Sequence, residues 1–145
     1  GSTGLSSSPP SLGVNTAYSG VNGELRATAD VIAYYSDIRL KDEIEYIKNA
    51  GDKLYALNGI LYKWKTFAKD YGFNTNIFEA GVLAQEVQAV LPEIVKQAPF
   101  DRDGKGGSKS GQNYLTVQYE YLIPLIVETI KEQQREIETL RLRAK

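Results

Sequence analysis

Ser36-Asp37-Ile38-Arg39-Leu40-Lys41 divides the chain into two kinds of sequence. Before it, residues 1–35 are rich in Gly, Ser, Thr and Asn. After it, apolar residues recur at helical and strand spacings. Residues 1–13 show no hydrophobic period and read as a linker or loose end. Leu25–Ala29 and Val31–Tyr35 read as short strands, too few to build a core alone. They suit the end of a repetitive β stalk made by several chains. The expected division is 1–35 as the end of an upstream β-rich segment and 36–145 as a separate domain.

With 145 residues, 42% of them hydrophobic, there is enough chain for one modest core. A net charge of −1 argues against a nucleic-acid or anionic-membrane partner. No apolar run is long enough to span a bilayer, and no signal peptide opens the chain. The chain has no cysteine and no histidine. Disulfides, thiol nucleophiles, His-ligated zinc and a Ser-His-Asp triad are all excluded. Proton transfer must use Asp, Glu, Lys or Tyr. Methionine is absent too, so the chain reads as a piece of a longer protein, with Gly1-Ser2 as a cloning scar.

Beyond the dividing stretch, residues 38–58 predict helix, with Leu40, Ile44, Ile47, Leu54 and Leu57 on one face. A break is expected at Gly51-Asp52. Asn58-Gly59 is a turn signal. Ile60, Tyr62 and Trp64 alternate with Leu61, Lys63 and Lys65, as in a half-buried strand. Residues 68–76 read as a polar loop and 77–82 as the returning strand. Residues 83–91 predict a short helix that turns Leu83, Val87, Val90 and Leu91 inward and stops at Pro92. Residues 94–98 and 113–117 read as two arms of a hairpin. Their Gly/Lys/Ser-rich connection, 99–112, reads as a mobile tip.

The last segment predicts one long helix from about Tyr119 to the end, with Pro124 in its first turns. Ile123, Ile126, Ile130, Gln133, Ile137, Leu140 and Ala144 are spaced alternately three and four apart. This is a heptad seam with one polar layer at Gln133. So narrow a stripe implies partner helices, and Ile126 with Gln133 leans towards a trimer. The expected fold class is α+β: short strands and hairpins packed on helices, with a trimeric C-terminal coiled coil.

Three features invite chemical readings. Asp101-Arg102-Asp103-Gly104-Lys105-Gly106 has part of a calcium-loop pattern. However, Lys105 stands where an oxygen ligand belongs and Gln112 where the bidentate Glu belongs, so no metal or other cofactor is expected. Trp64 and the tyrosines suggest sugar stacking, but Tyr55, Tyr62 and Tyr114 fall at core positions. Tyr34 and Tyr35 stay undecided. Ser36 and Lys41 by spacing alone read as a helix cap and a solvated lysine. Five helical residues would leave their side chains about 140° apart. A serine–lysine dyad therefore needs Ser36 outside the helix, folded back over its first turn. A lysine base must be neutral, although a free lysine has a pKa near ~10.4. Burial and the positive end of a helix both favour the neutral amine. Arg39 would act in the same direction, or offer electrostatic support to an oxyanion.

Three segments together resemble a known family. They are Ser36-Asp37-Ile38-Arg39-Leu40-Lys41; Gly81-Val82-Leu83-Ala84-Gln85-Glu86-Val87 with Leu91-Pro92-Glu93; and Tyr114-Leu115 through Tyr119, Leu122, Pro124-Leu125 and Ile130-Lys131-Glu132. In this order they are similar to the intramolecular chaperone, or S74 peptidase, domain. Such domains end phage tail fibres, tail spikes and neck appendages, and a similar one occurs in the myelin regulatory factor group. The resemblance covers about 36–145. It implies Ser36 as nucleophile, Lys41 as base, and a cut between Tyr35 and Ser36. It also implies a homotrimer that works on the upstream fibre domain of the same chain, made and cut in the host cytoplasm, with the fibre going to the virion. The alternative is a non-enzymatic trimerisation module with Ser36 as a plain cap. Release of a transcription factor, as in the membrane-associated relatives, is disfavoured because residues 1–35 lack basic clusters.

Overall fold

A computed structural model describes residues 12–14, 25–27 and 36–145. The chain divides into two compact units, residues 1–44 and 45–145. In the first, β1 (Leu12–Val14) pairs in parallel with β2 (Leu25–Ala27). The linker expected over 1–13 therefore gives way at Leu12, whose partner lies too far along the chain for local composition to reveal. The strand expected over 31–35, with Tyr34 and Tyr35, lies outside the described residues.

The helix expected over 38–58 is mostly absent. Ile38–Leu40 forms a single 3-10 turn and α1 covers only Ala50–Tyr55. Asp37 explains the first limit. Its carboxylate accepts from the Arg39 N–H at 2.9 Å, and the turn closes through Leu40 N–H to Asp37 C=O and Lys41 N–H to Ile38 C=O. Lys41 is then extended. Asn49, with φ 53°, sets the start of α1. Gly51-Asp52 lies inside α1 rather than breaking it, because Glu132 from the C-terminal helix supplies the missing cap. Its two carboxylate oxygens accept from Ala50 N–H at 3.0 Å and Gly51 N–H at 2.7 Å. A Cβ on Gly51 would lie 3.1 Å from that carboxylate, so the bare glycine allows the close approach. This late start also turns Tyr55 outward. It is 93% exposed and not the core residue its spacing suggests.

The core of the second unit forms between two hairpins and one helix. β3 (Ile60–Tyr62) pairs antiparallel with β4 (Glu79–Gly81), aligning Ile60 with Gly81 and Tyr62 with Glu79. The expected alternation holds: Ile60, Tyr62 and Trp64 are half-buried, and Leu61, Lys63 and Lys65 are exposed. Tyr62 donates its hydroxyl to Glu79 at 3.1 Å. Burial, then that bond, pushes its phenol up to about 12. α2 (Ala84–Val90) buries Val87 completely against Ile94 and Val95, with Leu57, Leu91, Leu115 and Val117 around them. Leu83 is exposed, because it precedes the first turn of α2 instead of joining its inner face.

The second hairpin pairs β5 (Val95–Gln97) with β6 (Leu115–Val117), aligning Val95 with Val117. Its connection is not a loose tip. Asp101 is buried, and its carboxylate accepts from Ser108 Oγ at 2.7 Å, Ser110 N–H at 2.9 Å and Tyr114 N–H at 3.0 Å. Burial alone would raise this carboxyl, but the Ser108, Ser110 and Tyr114 hydrogen bonds outweigh it and hold it down to about 2. Ring contacts close the other side: Trp64 stacks on Phe73 at 4.1 Å, and Phe100 lies against Tyr71 and Tyr114.

α3 (Leu122–Arg143) carries Pro124 in its first turn, as expected, and packs on α1. Its buried positions are Leu125 and Thr129, the latter bonding back to the Leu125 carbonyl at 2.9 Å. The seam lies elsewhere on the helix. Ile123, Ile126, Ile130, Ile137 and Leu140 are between 41% and 60% exposed, and Gln133 is exposed with them. The unit is thus α+β with one long C-terminal helix, whose buried positions are distinct from the exposed positions of the expected seam.

Candidate functional site

Ser36 precedes the cap of the 3-10 turn and Lys41 follows its last residue. The turn folds the chain back so that these flanking side chains meet. Lys41 Nζ donates to Ser36 Oγ at 2.8 Å. The same separation would let a neutral amine accept the serine proton, as general-base chemistry requires. Both residues are exposed.

The surroundings differ from the expected ones in two ways. Lys41 lies at the C-terminal end of a three-residue turn and not, as expected, in the first turn of a helix. Arg39 is occupied by Asp37. Its Nη2 lies 2.7 Å from Asp37 Oδ2 and its Nε 3.1 Å from Oδ1. The Arg39 side-chain and backbone hydrogen bonds lower the Asp37 carboxyl, and the same pair raises Arg39. The Arg39 charge is therefore largely offset beside the dyad. Asp37 was missed as a site residue; its signal was an N-cap residue followed two positions later by arginine. Tyr35, on the acyl side of the expected cut, lies outside the described residues.

The other expected site residues stand apart from this pair in the sequence, along α3. Glu132, between Ile130 and Gln133, was also missed. Backbone hydrogen bonds from Gly51 and Ala50 hold its carboxyl below the ordinary value. Nothing local marks it, because its partners are about eighty residues earlier. Among the described residues, no group of acidic side chains is placed to hold a metal ion. The partial calcium pattern is used internally, since Asp103 accepts from Lys105 N–H and Gly107 N–H, both at 2.8 Å. Among the described residues no helix is long and apolar enough to cross a membrane.

Comparison with known proteins now adds a second line of evidence. Residues 36–96 match the Peptidase_S74 family, described as chaperone of endosialidase. The match begins at Ser36 itself. Together with the tail-fibre relatives that follow, this match supports a phage tail fibre chaperone domain. The chain is also 35% identical over 123 residues to the long tail fiber protein Gp37 of Enterobacteria phage K3, covering 82% of this chain and 9% of that protein. The Gp37 of Enterobacteria phage T2 gives the same identity and span, at 8% of its length. The Gp37 of Salmonella phage S16 is 30% identical over 107 residues, 73% of this chain and 14% of that protein. The chain therefore spans only about a tenth of these curated relatives.

Proposed function

We propose that residues 36–145 form a C-terminal intramolecular chaperone of a phage tail fibre that releases itself by cutting Tyr35–Ser36. The observation that carries this reading is the 2.8 Å contact between Lys41 and Ser36 at the first residue of the family match. The tail-fibre relatives support a virion destination for the upstream part and a fibre-domain partner in the same chain.

Three chains meet through the exposed seam of α3. This raises the local concentration of three fibre ends and sets their register. Interwoven β structure forms slowly because its contacts are non-local, and a helical bundle meets part of the association cost in advance. Ser36 Oγ then attacks the Tyr35 carbonyl carbon while Lys41 takes the hydroxyl proton. The Tyr35 C–N bond breaks, the Ser36 nitrogen receives that proton, and Tyr35 is left as an ester on Ser36 Oγ. Water opens the ester, giving a Tyr35 carboxylate and restoring the Ser36 hydroxyl. The nucleophile neighbours its own target, so orientation supplies much of the acceleration and each chain turns over once. Loss of the chaperone leaves a fibre without its folding route in reverse, a kinetic stabilisation.

The test is a denaturing gel with mass spectrometry on the full chain. Ser36→Ala, Lys41→Ala and Lys41→Arg should each leave one uncut chain that still assembles. A wild-type product beginning at Ser36 supports the dyad. Cutting of either Ala variant at the wild-type rate removes it and leaves the non-enzymatic trimerisation module.

A further inference from the structure

Asn58 and Gly59 lie in the connection between α1 and β3, and both are exposed. In an Asn-Gly pair the glycine nitrogen can reach the side-chain carbonyl carbon before it, because no Cβ crowds the approach. Water has the same access: a Cβ built at Gly59 would meet nothing within 4 Å. The carboxamide itself is held. Asn58 Nδ2 donates to Glu86 Oε1 at 3.0 Å, and Asn58 N–H donates to Glu86 Oε2 at 3.0 Å. Glu86 stands in the first turn of α2, so these bonds tie the α1–β3 connection to that helix. The tie needs an amide. A carboxylate at position 58 has no N–H to give and sets like charge against Glu86.

We infer that Asn58 is a self-modification site, deamidated by its own chain, with Glu86 as the restraint on the reaction and the group that its product repels. The site lies within the second unit and does not depend on cutting at Ser36. The Gly59 nitrogen bonds to Asn58 Cγ and gives its proton to solvent base. The Cγ–Nδ2 bond breaks and the nitrogen leaves, protonated by water, as ammonia. Water then opens the cyclic imide. Opening at Cγ leaves aspartate at 58, and opening at the main-chain carbonyl carbon leaves isoaspartate. Glu86 slows the first step by holding the carboxamide in one orientation. Once the step is done, Glu86 faces a carboxylate and the tie to α2 is lost.

The experiment incubates the full chain at mildly alkaline pH and follows the tryptic peptide 54–63 by mass spectrometry. The peptide ending at Arg26 holds the other Asn-Gly pair, Asn22-Gly23, and is read separately. The Asn58 peptide should gain the mass of OH for NH2, more slowly in the folded chain than in urea. Glu86→Ala should speed this several-fold, and Gly59→Ala, whose Cβ has room, should nearly abolish it. Val87→Ala loosens the same helix and keeps Glu86, so it reports what lost stability alone does. With the two variants brought to equal unfolding free energy by urea, Glu86→Ala no faster than Val87→Ala overturns the restraint. Gly59→Ala converting like wild type, or Asn58 intact in folded Glu86→Ala, overturns the site. Asn58→Asp should lower the urea midpoint. Adding Glu86→Gln should restore it, since glutamine offers an N–H to the new carboxylate and an oxygen to the backbone N–H. No fall in Asn58→Asp, or a fall that Glu86→Gln leaves in place, overturns the repelled product.

Discussion

Replacing Ile130 and Ile137 by glutamine is the sharpest test of the long helix. Both are seam positions, 58% and 43% exposed in the single chain. Full burial of such a side chain is worth ~1.5–3 kcal/mol, so covering the exposed half yields about 1 kcal/mol each. Two residues in three chains then contribute ~6 kcal/mol to a trimer. At ~1.4 kcal/mol per factor of ten, the trimer association constant falls about 10⁴-fold. Three chains combine, so the concentration of half-assembly follows the square root of that constant and rises roughly 100-fold. Glutamine has nearly the helix propensity of the best formers, so the helix itself should persist. Sedimentation across a dilution series, with far-UV circular dichroism, reads both quantities. A double variant that assembles at the wild-type concentration with its helix intact would refute the seam.

Further expectations concern the fold around it. Leu125→Ala removes a fully buried side chain and should cost about 2–5 kcal/mol in urea unfolding. Gly81→Ala would place a Cβ 2.6 Å from the Tyr119 hydroxyl, which accepts from Val82 N–H at 3.1 Å; overpacking of this kind costs about 1–3 kcal/mol, read as a lower urea midpoint. Asp101 sits at about 2 in the fold against an ordinary 3.8. Its contribution to stability is therefore present above about pH 4 and lost as pH falls towards 2. Asp101→Asn should flatten that acid limb of the urea midpoint against pH; an unchanged limb would show that the carboxylate does not organise the loop.

How much of this was legible in the sequence depends on where each residue finds its partner. The two hairpins and α2 were readable, since Tyr62, Trp64, Val87 and Val95 announce their faces through local alternation or helical spacing. The helix α3 itself was readable from its apolar spacing, but its buried positions were not. Leu125 and Thr129 are buried and Glu132 caps α1, whereas the heptad pattern draws attention to the set one position further on, about 100° round the helix. The stretch 38–49 was misread because its apolar spacing suits a helix, while Asp37 holds a single turn and Asn49 delays the next. Asp101 gave no signal, as its partners Ser108, Ser110 and Tyr114 are brought round by the loop itself. For the candidate site, spacing alone left Ser36 and Lys41 as a cap and a solvated lysine and the family resemblance gave them their expected roles, whereas the pairing of Asp37 with Arg39 shows only in the fold.

Glu132 has a consequence for engineering. The carboxylate that starts α1 is carried by the helix whose other stripe is left open to solvent. A generic heptad peptide grafted in place of α3 would keep the exposed apolar positions and leave α1 without the Glu132 carboxylate. Any chimera of this domain must therefore transplant two sets of positions on one rod, and a swap that honours only the heptad would leave its first helix to fray.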